Sequence, residues 1–287
     1  MGSTDIKAMA KINLALDVTG RRDNGYHDVR MIMQSIGLYD ELTIAESVND
    51  DGIRIETDRT DLPVNEDNLI YRAAALIKDE CGINTGVRIS LKKNIPIAAG
   101  MAGGSTDAAA VLKGMNELFS LGLTFDRLCE LGVRIGADVP YCIMGGTALS
   151  EGIGEILTAL PPMPGCSILI AKPAIGVSTG YVYGAFDKLK EKQHPDVDGM
   201  IRAIEDKDLK GIAGLLGNSL EGVTVKEYPV IREIKNKMNG LGALGSLMSG
   251  SGPTVFGLFD KKDTADSAAE EIKSTYGIKE VFVVKPC

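Results

Sequence analysis

The segment Pro96-Ile97-Ala98-Ala99-Gly100-Met101-Ala102-Gly103-Gly104-Ser105-Thr106-Asp107-Ala108-Ala109 sets a run of small residues directly before a helix start. Backbone N–H groups converge in such a loop, and the first helical turn adds donors without intrahelical partners and a positive dipole end. An anion is held there without a charged side chain. One helix terminus contributes only about 0.3–1 kcal/mol toward an exposed anion, so tight phosphate binding requires the whole loop. A Gly/Ala-rich turn capped by Ser105 or Thr106 accounts for the same residues with no ligand at all. The two common phosphate motifs do not apply. No lysine follows Gly103 or Gly104 as GxxxxGK[ST] demands, and GxGxxG occurs neither here nor at Gly152-Ile153-Gly154 or Gly250-Ser251-Gly252. The HRD and DFG signatures of protein kinases are missing too.

Around this loop the pattern is mixed. Ile6, Ala8, Ala10, Ile12, Leu14, Leu16 and Val18 alternate with other residues and predict a strand with one apolar face. Gly20 to Gly25 reads as a turn, and Val29 to Ile44 as strand-rich chain. The spacing predicts helices over 68–81, from Ser105 or Thr106 to Phe119, over 125–133, near 199–216, over 227–238 and over 264–276. Strands are expected at 87–91, 146–150, 167–171, 254–259 and 280–284. The glycine-dense stretch 240–252 reads as a hairpin or as a strand interrupted for close packing. The densest proline cluster, Leu160-Pro161-Pro162-Met163-Pro164-Gly165, marks a domain boundary, dividing the chain into 1–162 and 163–287. Strands and helices mixed in this way point to a two-domain α+β protein.

Composition excludes several partners. With 31 Lys+Arg against 39 Asp+Glu the formal net charge is −8, which repels a polyanion, so no nucleic acid is expected. No run of about 18 apolar residues is present and the start has no cationic region followed by an apolar one, so no membrane is expected and the location is cytoplasmic. Five widely spaced cysteines without CxxC read as reduced core thiols.

Lys11 and Asn13, two residues apart on the polar side of the first strand, project from one face. A solvated lysine accounts for this equally. Asp138 lies in an apolar, small-residue stretch where an unpaired carboxylate is costly to bury, unless it is an ordinary turn aspartate. Tyr26 and His27 suit stacking on and hydrogen bonding to a heterocyclic base, or simple loop anchoring. His194, in a polar run, reads as solvated surface.

Three segments together carry a resemblance: Ala10-Lys11-Ile12-Asn13-Leu14 through Gly20-Arg21-Arg22-Asp23-Asn24-Gly25-Tyr26-His27, the loop Pro96 to Thr106, and Gly250-Ser251-Gly252-Pro253. They resemble the three motifs of the galactokinase, homoserine kinase, mevalonate kinase and phosphomevalonate kinase (GHMP) superfamily. With its GYH element the first motif is similar to that of the 4-diphosphocytidyl-2-C-methyl-D-erythritol kinase family, and Gly136-Ala137-Asp138-Val139-Pro140 fits in order and spacing. The resemblance implies a two-domain α+β GHMP-kinase fold, with an N-terminal ribosomal protein S5 domain 2-like domain and a C-terminal ferredoxin-like domain. It implies transfer of the ATP γ-phosphate to the 2-hydroxyl of a CDP-linked methylerythritol, by a monomer or homodimer.

By position, Asp138 matches the catalytic aspartate that accepts the hydroxyl proton, and Lys11 the lysine that steadies the developing charge. Pro96, Ile97, Ala98, Ala99, Gly100, Met101, Ala102, Gly103, Gly104, Ser105 and Thr106 would wrap the ATP phosphates. Asn68 and Lys93 would contact the adenine nucleotide. Asn13 would touch the substrate, His27 would read the cytosine edge, and Tyr26 with Tyr183 would sandwich its ring, Tyr181 being the rival to Tyr183. Mg2+ is expected to arrive with ATP, and no acidic ligand is assigned to it. Another GHMP kinase acting on mevalonate or homoserine, or a catalytically silent binder on the same fold, are the competing readings. Ala98, Ala99 and Met101 depart from the more glycine-rich pattern with leucine common in relatives, and Asn24 replaces the usual aspartate before Gly-Tyr-His.

Overall fold

The computed structural model describes residues 2–47 and 51–287. Two compact units alternate along the chain: the first is Met1–Ala10, Leu38–Ile95 and Ala102–Gly145, and the second is Lys11–Gly37, Pro96–Met101 and Gly146–Cys287. Two long strands, β1 (Ser3–Arg21) and β2 (His27–Ser47), contribute residues to both. The alternation read over Ile6 to Val18 does form a strand, but Ala10 through Leu16 are buried on both faces. Lys11 and Asn13 therefore lie inside rather than on a solvated face, which corrects the solvated-lysine alternative.

In the first unit, β3 (Ile53–Thr57) runs parallel to β4 (Gly86–Lys92), and β4 pairs antiparallel with Glu41–Ser47 of β2. Between them α1 (Leu69–Cys81) starts at Asn68, whose Oδ1 accepts from the Ile70 N–H, and ends at Gly82 in the left-handed region. Its buried residues Ile70, Ala73, Ala74 and Ile77 follow the i, i+3, i+4, i+7 spacing of one helical face. Helix α2 (Gly103–Leu118) is buried along most of its length, and a methyl group on Gly114 would meet Ile44 Cδ1 at 2.5 Å and Ile6 Cδ1 at 3.0 Å. Only a helix of small residues lies this close to a sheet, which accounts for its alanines. Helices α3 (Phe125–Val133) and α4 (Val139–Met144) complete this unit.

The second unit begins with β5 (Thr147–Glu151), which pairs with Met31–Gln34 of β2 and with β6 (Ile156–Ala159). Next come β7 (Ser167–Lys172), α5 (Thr179–Phe186), α6 (Val197–Glu205), α7 (Leu209–Gly214) and β8 (Gly217–Asn218), the last parallel to Ala15–Leu16 of β1. Then follow α8 (Glu221–Glu227), α9 (Val230–Gly240), β9 (Gly245–Met248), β10 (Val255–Phe259), α10 (Lys262–Tyr276) and β11 (Glu280–Val284). The antiparallel sheet β11–β7–β10–β9 has the strand order of a ferredoxin-like βαββαβ arrangement. The glycine-dense 240–252 stretch supplies β9 and the turn of its hairpin with β10.

Three expectations change. The 227–238 helix begins only at Val230, because Pro229 is tolerated at a helix start but not in its interior, and α8 ends before it. The 199–216 stretch breaks into α6 and α7 around Lys207, whose φ is 55°. Helix α2 starts two residues ahead of Ser105. Of the cysteines, Cys142 and Cys166 are core residues, whereas Cys287 is exposed; all five are free thiols. Among the described residues no helix is long and apolar enough to cross a membrane.

Candidate active site

In the second unit the first motif, the early part of the small-residue loop and the third motif come together. Lys11 Nζ donates to Asn13 Oδ1 at 2.7 Å, Asn13 Nδ2 faces Met31 Sδ at 3.5 Å, and the Lys11 N–H donates to Met101 O at 3.2 Å. Gly100, at φ 71°, lies so close to the turn after β9 that a methyl group there would stand 2.3 Å from Ser249 O. Ser249 Oγ closes the contact by donating to Gly100 O at 2.9 Å. That turn is itself held by Asn218, whose Nδ2 donates to Met248 O at 2.9 Å and to Gly250 O at 2.8 Å. Its Oδ1 accepts from the Leu220 N–H at 2.9 Å. Sequence reasoning missed Asn218, because nothing local distinguishes it from any other polar residue after a helix.

The base-reading candidates also meet. The His27 and Tyr183 rings lie 4.9 Å apart, tilted by 39°. Tyr181, the rival, is 56% exposed, and the charge of Glu227 pushes its phenol up. Tyr26 is equally exposed, on a turn where its N–H donates to Asn24 Oδ1 at 3.1 Å, so the Asn24 departure keeps the turn's hydrogen bond. His27 Nε2 stands 2.8 Å from Asp187 Oδ1, and Arg21 Nη1 is 3.3 Å from Asp187 Oδ2. Burial works to raise the Asp187 carboxyl, but the hydrogen bond with His27 and the charges of Arg21 and Lys192 help bring it below its ordinary value. Asp187 follows Tyr183 by one turn of α5, a spacing that a helix drawn through 179–186 would have exposed. His194, read as solvated surface, is half-exposed and bound to Asp17 at 2.7 Å.

In the first unit the start of α2 gathers the remaining candidates. Ala102, at φ 57°, occupies the cap position and no side chain caps the helix. Its first N–H groups therefore lack the usual hydroxyl or carboxamide partner. Thr106 is not the cap: its Oγ1 donates to Met9 O at 2.7 Å. Ser105 Oγ lies 4.0 Å from the point where a Cβ on Gly136 would sit, beside the segment that carries Asp138. Leu69 Cδ1 stands 3.4 Å from the corresponding point on Gly104, which brings the Asn68 cap of α1 to the same end. Asp138 is partly exposed at the cap position just before α4, and its side chain makes no capping hydrogen bond to that helix.

Lys93 lies beneath the start of α2. Its ammonium is buried between Asp40 Oδ2 and Asp107 Oδ2, the latter at 2.7 Å, so its charge is engaged within the protein. It lies 3.1 Å from the Cβ point of Gly103, beneath the α2 start. Asp40 Oδ1 additionally accepts from the Asn94 and Ile95 N–H groups at 2.6 and 2.8 Å. Burial, opposed by Lys93 and reinforced by the Asp40 charge, holds the Asp107 carboxyl well above its usual range, and its Oδ1 is buried without a hydrogen-bond partner.

Residues 68–146 match the family model for the GHMP kinases N terminal domain, and residues 200–278 match GHMP kinases C terminal. A protein of Lachnoclostridium phytofermentans named 4-diphosphocytidyl-2-C-methyl-D-erythritol kinase is 54% identical over 99% of this chain and 98% of its own. One of Caldicellulosiruptor bescii with the same name is 51% identical over 98% of each chain. A crystal structure of 4-(cytidine 5'-diphospho)-2C-methyl-D-erythritol kinase superposes with a TM-score of 0.82 at 32% identity, covering 99% of both chains. Homoserine kinase from Cytophaga hutchinsonii shares the fold, with a TM-score of 0.79 at 20% identity over 100% of this chain and 95% of that one.

Proposed function

The chain belongs to the 4-diphosphocytidyl-2-C-methyl-D-erythritol kinase family of GHMP kinases, and from that premise we propose that it transfers the γ-phosphate of ATP to the 2-hydroxyl of 4-diphosphocytidyl-2-C-methyl-D-erythritol. The products are the 2-phosphate and ADP, in the non-mevalonate route to isoprenoid precursors. The observation that carries the reading is the start of α2, a 16-residue helix opening on Gly103-Gly104-Ser105 with no side-chain cap. Such an end suits phosphate oxygens.

Phosphoryl transfer depends chiefly on alignment and on stabilising charge. In this reading the substrate 2-hydroxyl oxygen attacks the γ-phosphorus, its bond to the β–γ bridging oxygen breaks, and the hydroxyl proton passes to Asp138. Lys11, held by Asn13 Oδ1, steadies the negative charge that develops. Pro96 to Ser105 surround the phosphates, while Thr106 and Lys93 shape the loop from behind through Met9, Asp40 and Asp107. Ser105 would be the loop hydroxyl nearest to any Mg2+ delivered with ATP, since that of Thr106 is bonded to Met9 O, and the metal would supply neutralisation of phosphate charge. Tyr26, His27 and Tyr183 receive the cytosine, and Asn13 the adjoining substrate. The division at 162/163 belongs to the same reading, supported by family matches that end before it and begin after it. So does action in a bacterial cytoplasm as a monomer or homodimer.

The test is ATP-dependent phosphorylation by purified protein of the cytidyl substrate beside mevalonate and homoserine. Turnover of either simpler alcohol without the cytidyl substrate overturns the assignment. Asp138→Asn is expected to lower turnover by about 100- to 10,000-fold with the melting temperature retained. Near-normal turnover would exclude Asp138 as the base.

A further inference from the structure

A neutral imidazole carries one proton and two ring nitrogens of opposite character, and the hydrogen bond at one nitrogen decides what the other offers. His27 Nε2 lies 2.8 Å from Asp187 Oδ1, and an ionised carboxylate only accepts. In its neutral form His27 therefore carries its proton on Nε2, which leaves Nδ1 an acceptor. Among the described residues Nδ1 has no hydrogen-bond partner, although the side chain is only 9% exposed and its ring lies against Tyr183. An acceptor left open to solvent on a ring otherwise held by Asp187 and Tyr183 suits a ligand that donates.

Cytosine and uracil differ at two edge positions: N3 accepts in cytosine and donates in uracil, and at position 4, the one considered for His27, the amino group of cytosine donates whereas the oxo group of uracil accepts. We propose that Asp187 fixes the tautomer of His27 and thereby makes the pyrimidine site select cytosine over uracil. This rests on the reading that His27 faces the base edge. An acceptor Nδ1 receives the cytosine amino hydrogen, whereas uracil sets oxygen lone pair against nitrogen lone pair, a mismatch that rejects without adding any contact to the correct base. Asp187 is a positioning residue here, since it acts through His27.

Arg21 makes the consequence of a substitution directional. Its guanidinium faces Asp187 Oδ2 at 3.3 Å and only donates. In Asp187→Asn the amide oxygen turns toward Arg21, so the amide nitrogen faces His27 and donates to Nε2. The imidazole proton then moves to Nδ1, which becomes a donor and fits the 4-oxo group of uracil.

The experiment measures kcat/KM for the cytidyl substrate and for its uridine analogue. The native chain is expected to prefer cytidine at least tenfold, and Asp187→Asn to lower that preference at least tenfold through KM for the pyrimidine substrate, with KM for ATP and the melting temperature unchanged. His27→Ala is expected to raise KM for both and to bring the ratio near one. If Asp187→Asn keeps the native ratio while His27→Ala abolishes it, the proposal for Asp187 fails and the reading of His27 stands. If His27→Ala changes neither KM nor ratio, the reading of His27 fails and the proposal falls with it. Nitrogen-15 NMR of His27 in the native chain provides a measurement independent of any variant: a proton on Nε2 is expected, and a neutral ring protonated on Nδ1 overturns the proposal.

Discussion

Replacing Gly100 with alanine tests the meeting of the small-residue loop and the third motif, and Gly146 provides a control. The two glycines have nearly the same φ, 71° and 69°, but a Cβ on Gly146 meets nothing within 4 Å. Both substitutions carry the cost of a left-handed alanine, about 1–2 kcal/mol. Only Gly100→Ala adds a clash, with a Cβ 2.3 Å from Ser249 O against a practical minimum of 3.0 Å. Neither backbone segment yields by side-chain rotation, so the two must part by about 0.7 Å, which carries the 2.9 Å Ser249 Oγ to Gly100 O bond beyond hydrogen-bonding range. Losing that bond costs about 0.5–1.5 kcal/mol and the forced displacement about 1–3 kcal/mol. Gly100→Ala is therefore expected to be about 1.5–4.5 kcal/mol less stable than Gly146→Ala, with a higher KM for ATP. Thermal denaturation and ATP titration of the two variants decide the matter. Equal melting temperatures and equal KM values would refute the close approach.

Lys93→Met leaves two buried carboxylates without their cation and is expected to cost about 3–5 kcal/mol, whereas Asp107→Asn is expected to cost less than about 1 kcal/mol at neutral pH. A carboxyl held above its unfolded value of about 3.9 stabilises the fold below that pH and loses its contribution as pH rises through the higher folded value. Melting temperatures from pH 4 upward should accordingly favour Asp107→Asn increasingly over the native chain, and parallel pH profiles would contradict this. Ala102→Gly relieves a left-handed alanine and should raise stability by about 0.5–1 kcal/mol after the entropy lost to a more flexible unfolded chain; a lower melting temperature would count against the φ of 57°. Burial pushes the Cys129 thiol up to about 11 and that of Cys166 up to about 12, so both should resist alkylation at pH 8 until the chain is unfolded. Mass mapping after a native pulse checks this, and prompt modification of Cys166 would contradict it.

Periodicity was enough for elements whose signal lies within their own residues. Helix α3 and strand β11 fall on the expected 125–133 and 280–284, because an amphipathic face and a run of β-branched residues need no distant partner to be recognised. The start of α2 was misread because Ser105 and Thr106 have the composition of caps while the Thr106 hydroxyl is used by Met9. The polar residues that shape the candidate site were hidden for a related reason. Asp40 meets Lys93 across 53 positions and Asp187 meets His27 across 160, and no local pattern records a pairing of that kind. Lys11, Asn13, Tyr26 and His27 became candidates through the resemblance, since strand spacing and residue chemistry alone left a solvated lysine and a simple loop anchor equally open.

The pairing of β8 with β1 sets a timetable for synthesis. One edge of β1 adjoins β2, which follows it directly, but the other receives Gly217–Asn218, about 200 residues later. At roughly 5–20 residues per second that edge waits on the order of 10–40 s on the ribosome. Throughout that interval an apolar strand presents unpaired N–H and C=O groups, the template on which nascent chains join one another. Premature termination anywhere between β7 and β8 releases a product in which this edge, at Ala15 and Leu16, still lacks its partner.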